Sequence, residues 1–377
     1  MKKLLLFCDY YLPSVRAGGP VRSIAAIINT LKNDFDITIV TRNHDLCVST
    51  PFSTIESDKL QPKNGYSVLY LSPKKMLSGI YQFLSANNVD IVYFNSFVSP
   101  KMAVFPLFLL KLKKIRNTRI IFSPRGELGA GALSIKPIRK KLYINLFKKL
   151  FVKSVEFLAA SDSEEQEIKK AVGTLSRVTM IANISTVLAA EKIINHKQEN
   201  SIKIVFISRL SKKKNLLGAI EILSNVAGNV IFDIYGPIED ESYWQTCLAA
   251  IKKLPKNIHV IYRGGCDPDQ VLTTLLPYDL FFLPTWNENY GHGIVESLAS
   301  GVPVLLSDQT PWHDLENADA GWECPLSQPT AFSEKIDSLI LLNNAEYNQY
   351  KIGALNYYKN KILNHGLKKE YIAFFRR

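Results

Sequence analysis

The chain has 377 residues, 47% of them hydrophobic and 21% charged. That length suggests two domains of ordinary size, and that composition is ample for two cores and argues against disorder. Forty-six basic residues against thirty-four acidic ones give a net charge of +12, which implies an acidic partner: nucleic acid, anionic lipid or a phosphorylated substrate.

Met1-Lys-Lys-Leu-Leu-Leu-Phe-Cys8 has the basic start of a signal peptide. Its apolar run stops at Asp9, short of the roughly 7–15 residues an h-region needs, so it reads as a first buried strand. Further strands are expected at Asp36–Thr41, Ser67–Leu71, Asp90–Asn95, Arg119–Ser123 and Glu156–Ala160, with a helix at Pro20–Leu31. The apolar run Met102–Leu110 contains Pro106 and is about half the length of a membrane span. The polar segment Glu191–Ser201 leads into a restart of the pattern, with strands at Ile202–Ser208, Asn229–Tyr235, Asn257–Tyr262, Asp279–Pro284 and Val302–Ser307. Helical segments run from about Pro329 to Arg377. Strands alternating with helices predict parallel sheets of an α/β fold. The domains are expected at 1–190 and 191–360, with a last helix at 361–377.

Placement of the basic charge discriminates between partners. From Leu128 to Val155 there is no acidic residue, but Lys136, Arg139, Lys140, Lys141, Lys148, Lys149 and Lys153 are basic. Leu142, Leu146, Phe147, Leu150 and Phe151 recur there at helical spacing, the pattern of a basic amphipathic helix that touches an anionic membrane surface. A second basic cluster runs from Lys111 to Arg119. Aromatic residues are not interleaved as a stacking platform would need, which argues against nucleic acid. Five cysteines (Cys8, Cys47, Cys247, Cys266, Cys324) without metal-ligand spacing read as free thiols of a cytosolic protein.

The most informative stretch is Glu288-Asn-Tyr-Gly-His-Gly-Ile-Val-Glu296. A short apolar strand stopped by Pro284 precedes it, and a helix read as Gly291–Ser300 ends at Gly301. The two glutamates therefore flank a helix N-terminus at the carboxyl end of a parallel strand, where open α/β sheets bind ligands. Free N–H groups of a first helical turn suit an anionic, oxygen-rich ligand. After strand Ile202–Ser208 comes Arg209-Leu-Ser-Lys-Lys-Lys214-Asn, and after the first strand comes Ala17-Gly18-Gly19-Pro20. That glycine pair lets the backbone approach a ligand, but it is not the G-x-G-x-x-G dinucleotide fingerprint, so a dehydrogenase is disfavoured.

Glu-x-x-Gly-x-Gly-x-x-Glu followed by Ala299-Ser-Gly-Val-Pro303 resembles the signature of the GT4-like group of retaining GT-B glycosyltransferases. The resemblance implies two doubly wound Rossmann-like domains facing a central cleft. It places the donor sugar by Glu288, sugar hydroxyls and phosphate on Asn289, Tyr290, Gly291, His292 and Gly293, and the ribose on Glu296. Arg209 and Lys214 match the two cations that hold the donor diphosphate, with Ser208 and Asn215 where the family has glycines. Gly18 and Gly19 match its phosphate turn, and Arg263 is a candidate for the base or ribose edge. Asn95, Arg125 and Glu127 are acceptor-side candidates, since the histidine that many members carry near Phe122–Glu127 is absent. Glu288, Arg209 and Lys214 are the expected catalytic set.

The implied activity is retaining, metal-independent transfer of a sugar from a UDP- or GDP-sugar to an acceptor hydroxyl. No cofactor or metal is expected. The acceptor expected is a lipid-linked saccharide of bacterial surface polysaccharide, met at the inner face of the cytoplasmic membrane. The alternatives are an epimerase or hydrolase on the same fold, and a non-catalytic subunit that binds nucleotide sugars.

Overall fold

The computed structural model describes residues 1–112, 118–133, 137–185, 187–191, 197–363 and 365–377. Lys136, and parts of the 111–119 cluster and of the 191–201 segment, lie outside the described residues. The chain divides into two units, Met1–Ile184 with His365–Arg377, and Ser185–Asn364. The sequence reading put these junctions at 190/191 and 360/361.

The strands of the first unit are β1 (Lys2–Phe7), β2 (Phe35–Arg42), β3 (Leu60–Lys63), β4 (Tyr66–Leu71), β5 (Ile91–Phe94), β6 (Arg119–Phe122), β7 (Val155–Ala159) and β8 (Arg177–Met180). Its helices are α1 (Gly19–Leu31), α2 (Met76–Ala86), α3 (Phe105–Leu112), α4 (Ala130–Leu133), α5 (Pro137–Leu150) and α6 (Asp162–Val172). They form one eight-stranded sheet in the order β3-β4-β2-β1-β5-β6-β7-β8. Every pairing is parallel except β3 with β4.

Period-two alternation explains why β1 reads as an uninterrupted apolar run. Leu5 and Phe7 enter one core with Phe94, Phe122 and Phe157, while Leu4 and Leu6 enter the other with Ile91, Tyr93 and Leu158. A strand covered on both faces has no polar side to show. Phe7, Phe94 and Phe122 stack in sequence at 5.4 and 4.6 Å between ring centroids.

The second unit has strands β9 (Ser201–Ile207), β10 (Asn229–Tyr235), β11 (Ile258–Gly264), β12 (Leu280–Leu283), β13 (Val304–Ser307) and β14 (Gly321–Cys324). Its helices are α7 (Leu216–Leu223), α8 (Glu241–Ile251), α9 (Val271–Leu275), α10 (His292–Ala299), α11 (Pro329–Leu341) and α12 (Asn344–Tyr357). The six-stranded sheet, β11-β10-β9-β12-β13-β14, is parallel throughout. In each sheet the strand order reverses beside the first strand of the unit, between β1 and β5 and between β9 and β12. These are the topological switch points, where the flanking loops diverge and leave a crevice.

Three strands were not anticipated. β3 carries Pro62 and β8 is largely exposed. Both lie at sheet edges, where proline and polar side chains are tolerated. β14 is only Gly-Trp-Glu-Cys, too short for a period to declare itself.

The last helix, α13 (His365–Arg376), belongs to the first unit. Tyr371, Phe374 and Phe375 are buried against the β1 and α1 side of its sheet. Arg119 donates to the Phe374 carbonyl and lies 4.5 Å over the Phe374 ring, and Arg376 pairs with Asp34 at 2.5 Å. Phe375→Ala should therefore cost about 3–5 kcal/mol, the range for deleting a buried aromatic. The loss should appear as a lowered urea midpoint for the first unit's transition.

Candidate active site

In the second unit the candidates gather where β9 and β12 end side by side. Lys212–Lys214 forms a tight turn after β9, closed by Asn215 at φ +58. Asparagine tolerates this left-handed conformation better than most residues, so Asn215 keeps the geometry a glycine would supply. Its Nδ2 also donates to the Pro284 carbonyl at 2.8 Å, tying the turn to the end of β12. Trp286 N and Thr285 Oγ1 both donate to the Lys213 carbonyl at 3.0 Å.

Across this seam the Lys214 ammonium hydrogen-bonds and pairs with Glu288, 74 residues away. Both side chains are largely buried. Burial alone would raise the Glu288 pKa. Lys214, then Lys213 and the N–H of Asn289, outweigh it and hold the carboxyl below its ordinary value. Asn289 N donates to Glu288 Oε1 at 3.1 Å, and Glu288 N to the Gln309 carbonyl at 2.9 Å.

Glu288 leads into α10, whose N-cap Gly291 sits at φ +75. A Cβ there would come within 2.6 Å of Ile294 Cδ1 and 3.1 Å of Glu288 Cγ, so only glycine fits without displacing the glutamate. At Gly293 a Cβ would stand 3.1 Å from the Ile207 carbonyl, so the missing side chain lets α10 seat against the end of β9. No side chain caps α10 and no acidic residue lies in its first turn, which leaves first-turn N–H groups for an anion. His292 opens the helix, and its ring lies 5.0 Å from that of Tyr290. Glu296 is buried on α10.

Arg209 is half-exposed and pairs with Glu239 at 3.1 Å. Arg263 is not part of this group: its Nε donates to Asp233 at 3.1 Å, and Tyr278 Oη donates to the same oxygen at 2.6 Å. Two further residues support the site. Trp312 donates to the Tyr290 carbonyl and packs on its ring at 5.3 Å, fixing the turn before α10. Thr310 follows Gln309, and its buried Oγ1, like Asn289 Nδ2, has no hydrogen-bond partner among the described residues. Buried polar atoms in that state fit groups whose partner is a ligand.

The first unit builds its own site at its own switch point. A cavity of about 210 Å³ is lined by Asp9 and Tyr10 after β1, Asn95 and Ser96 after β5, and Arg125 and Glu127 after β6. Arg125 sits at φ +54 and donates to Asn95 Oδ1 and Tyr93 Oη, each at 2.9 Å, and to Asn183. Glu127 accepts from Ser96 Oγ (2.9 Å), Phe97 N (2.6 Å) and Val98 N (3.0 Å). Burial nevertheless pushes its carboxyl above the ordinary value, the backbone N–H groups offsetting only part of the cost. Both residues thus brace the cavity wall with much of their hydrogen-bonding capacity.

Gly18, at φ +65 with open space around it, caps α1, and Gly19 is that helix's first residue. This helix too has no side-chain cap and no acid in its first turn. The loop before it hangs on Asp45, which accepts Ser14 Oγ at 2.6 Å, Leu46 N at 2.7 Å, Val15 N at 3.1 Å and Arg16 N at 3.2 Å. Burial opposes the charge, but these bonds win and lower the Asp45 pKa. A lone aspartate in a loop gives no warning of this in sequence.

Residues 189–356 match the family described as Glycosyl transferases group 1. An uncharacterized 41.2 kDa protein in the cps region of Klebsiella pneumoniae is 22% identical over 304 residues, covering 76% of this chain and 77% of that one. Among solved structures, HepE of Anabaena in complex with UDP-glucose superposes with a TM-score of 0.73 at 14% identity, covering all of both chains. Sucrose-phosphate synthase of Thermosynechococcus elongatus gives 0.73 at 12% identity, covering 100% of this chain and 98% of that one. The likeness extends over both units, and the fold is that of the GT-B glycosyltransferases, with two Rossmann-like α/β domains.

The Lys214–Glu288 pair makes a testable demand on stability. The folded-state pKa of Glu288 lies below the unfolded value of about 4.3. Its contribution is therefore fully present above that value and lost as pH falls through the folded one. Urea unfolding between about pH 6 and pH 3 should show a steeper loss in the wild type than in Glu288→Gln. Parallel curves would remove the pair from the stability of this unit.

Proposed function

We propose that the protein is a retaining, metal-independent glycosyltransferase of the GT4 type, moving a sugar from a nucleotide diphosphate donor to an acceptor hydroxyl. The observation that carries this is the Lys214–Glu288 pair beside the uncapped start of α10. The leaving group is a nucleoside diphosphate whose charge grows as the glycosidic bond breaks. Fixed cations and a helix N-terminus stabilise such charge with little reorganisation. Lys214 is then shared between Glu288 and the phosphate, and Arg209 turns from Glu239 to the same anion. These cations do the neutralising that a metal does elsewhere.

Glu288 orients the sugar and favours positive character at its anomeric carbon. Asn289 Nδ2 and the backbone of Tyr290–Gly293 hold sugar hydroxyls and phosphate, and Glu296 takes the ribose. The departing phosphate oxygen accepts the acceptor's proton on the same face of the sugar, which retains configuration. Arg263 meets the base or ribose edge through the nitrogens that Asp233 leaves free. The cavity bounded by Asn95, Arg125 and Glu127 receives the acceptor.

The acceptor is proposed to be a lipid-linked saccharide of bacterial surface polysaccharide (capsule, O-antigen or exopolysaccharide), used at the inner face of the cytoplasmic membrane. The cps-region relative supports the context. The UDP-glucose complex of a fold neighbour makes a UDP-sugar the first donor to test, ahead of a GDP-sugar.

Arg209→Ala and Lys214→Ala should each lower kcat by about 10²–10³, the effect of losing one electrostatic donor. Near-normal turnover in both would sink the assignment. In thermal unfolding, the cognate nucleotide at 100 times its Kd should add about 2.7 kcal/mol, unchanged by EDTA. Donor breakdown without any acceptor would favour a hydrolase or epimerase. No shift with UDP, GDP or ADP would favour a subunit without this activity.

A further inference from the structure

The basic helix is not amphipathic in the way its sequence suggests. Of its apolar residues, Ile144 and Phe147 are buried, as is Phe151 just beyond its end. Phe147 sits among Phe97, Phe122, Phe151 and Phe157 at 4.8–6.0 Å. Leu142 and Leu146 do not join them: they are 71% and 42% exposed, and Ile138 is 83% exposed. At 100° per residue these three, each four residues from the next, fall within about 80° of one another, on the side opposite Phe147. α5 therefore has two apolar faces, one spent on the core and one bare.

The bare face is framed by cations. On the same wheel Lys149 falls within the stripe, Arg139 on one flank and Lys141 and Lys148 on the other. All four are exposed, as is Lys153 after the helix. At the helix end Lys111 donates to the Leu150 carbonyl at 2.8 Å, and the next residue, Leu112, is 77% exposed. No acidic residue lies between Leu128 and Val155. Three bare aliphatic side chains gain nothing in water. An anionic bilayer meets both demands at once: acyl chains for the stripe and phosphate headgroups for its flanks.

We infer that the outer face of α5 docks on an anionic lipid surface, with Ile138, Leu142 and Leu146 entering the headgroup–acyl boundary and Arg139, Lys141, Lys148 and Lys149 on the phosphates. This deepens the proposed function by naming the surface that brings the enzyme to a lipid-linked acceptor, and it rests on that proposal only for its purpose. The helix lies along the surface: no helix among the described residues is long and apolar enough to cross a membrane.

The test is flotation of the full chain with vesicles of phosphatidylcholine and phosphatidylglycerol in equal parts, against phosphatidylcholine alone, at low and high salt. The wild type should float with the mixed vesicles at low salt only. I138S/L142S/L146S alters exposed positions, so its Tm should stay that of the wild type while its vesicle partition falls about tenfold or more. K141Q and K148Q should each lower partition about fivefold. No flotation at low salt, or unchanged flotation of the triple variant, overturns the inference. So does a wild-type dimer that the triple variant makes monomeric, since the stripe would then belong to a second copy. Nucleotide-dependent thermal shifts, read on the same samples, keep the two proposals separate. A shift without flotation removes the docking face alone, and flotation without a shift removes the glycosyltransferase reading alone.

Discussion

The second unit is organised around one requirement: a carboxylate and an ammonium taken out of water must find each other. Removing either partner of such a pair strands a buried charge, which is far more costly than never having buried the pair. Lys214 and Glu288 come from loops 74 residues apart, so their meeting fixes the backbone on both sides. The three hydrogen bonds that lace 213–215 to 284–286 follow from it. So does the absence of a Cβ at Gly291, where one would press on Glu288 itself. A hydrophobic pair would hold this seam at less desolvation cost. A charged pair at this switch point is what the proposed anionic leaving group would need.

The first unit solves the same positional problem with different groups. Its switch-point loops are held by Glu127 gripping the backbone of 96–98, by Arg125 gripping Asn95, and by Asp45 gripping 14–16. Each is a charged side chain spent on a neighbouring loop. Backbone N–H groups in a diverging crevice have no strand to pair with, and a carboxylate that accepts several of them settles that account. The loops that bound the cavity are therefore tied to one another by charged hydrogen bonds. Asp9, Tyr10 and Asn95 line the cavity beside Arg125 and Glu127. Asp9 still has Oδ2 to offer, because Arg42 and Ser99 both engage its Oδ1.

What could be read from the sequence, and what could not, follows from the range of the forces involved. Strands covered on both faces announce themselves as apolar runs, so β1, β9, β10 and β12 were legible to within a residue or two. Edge strands such as β3 and β8 carry no such run and were invisible. Helical periodicity located α5 but misassigned its faces: Leu142, Leu146, Phe147 and Phe151 share a spacing, not a side. Only packing on the Phe97–Phe122–Phe157 cluster separates the pair that is buried from the pair that is bare. Asp45 and Thr310 were missed for a related reason, since their importance lies in contacts that no local pattern encodes.

The two departures from the family's cation motif now have a physical account. A glycine after a lysine at this turn serves backbone shape, and Asn215 supplies that shape at φ +58 while adding a bond to Pro284. On the neighbouring strand Gly236, at φ +143, is the residue whose absent side chain lets the end of β10 lie against the Ser208 carbonyl. Ser208 keeps its own place in the ladder through its N–H to Tyr235 at 3.1 Å. Ser208 and Asn215 are thus held by backbone contacts next to Arg209 and Lys214. Such a site is better recognised by the charges it holds, and by the backbone conformations that hold them, than by the residue names a motif prints.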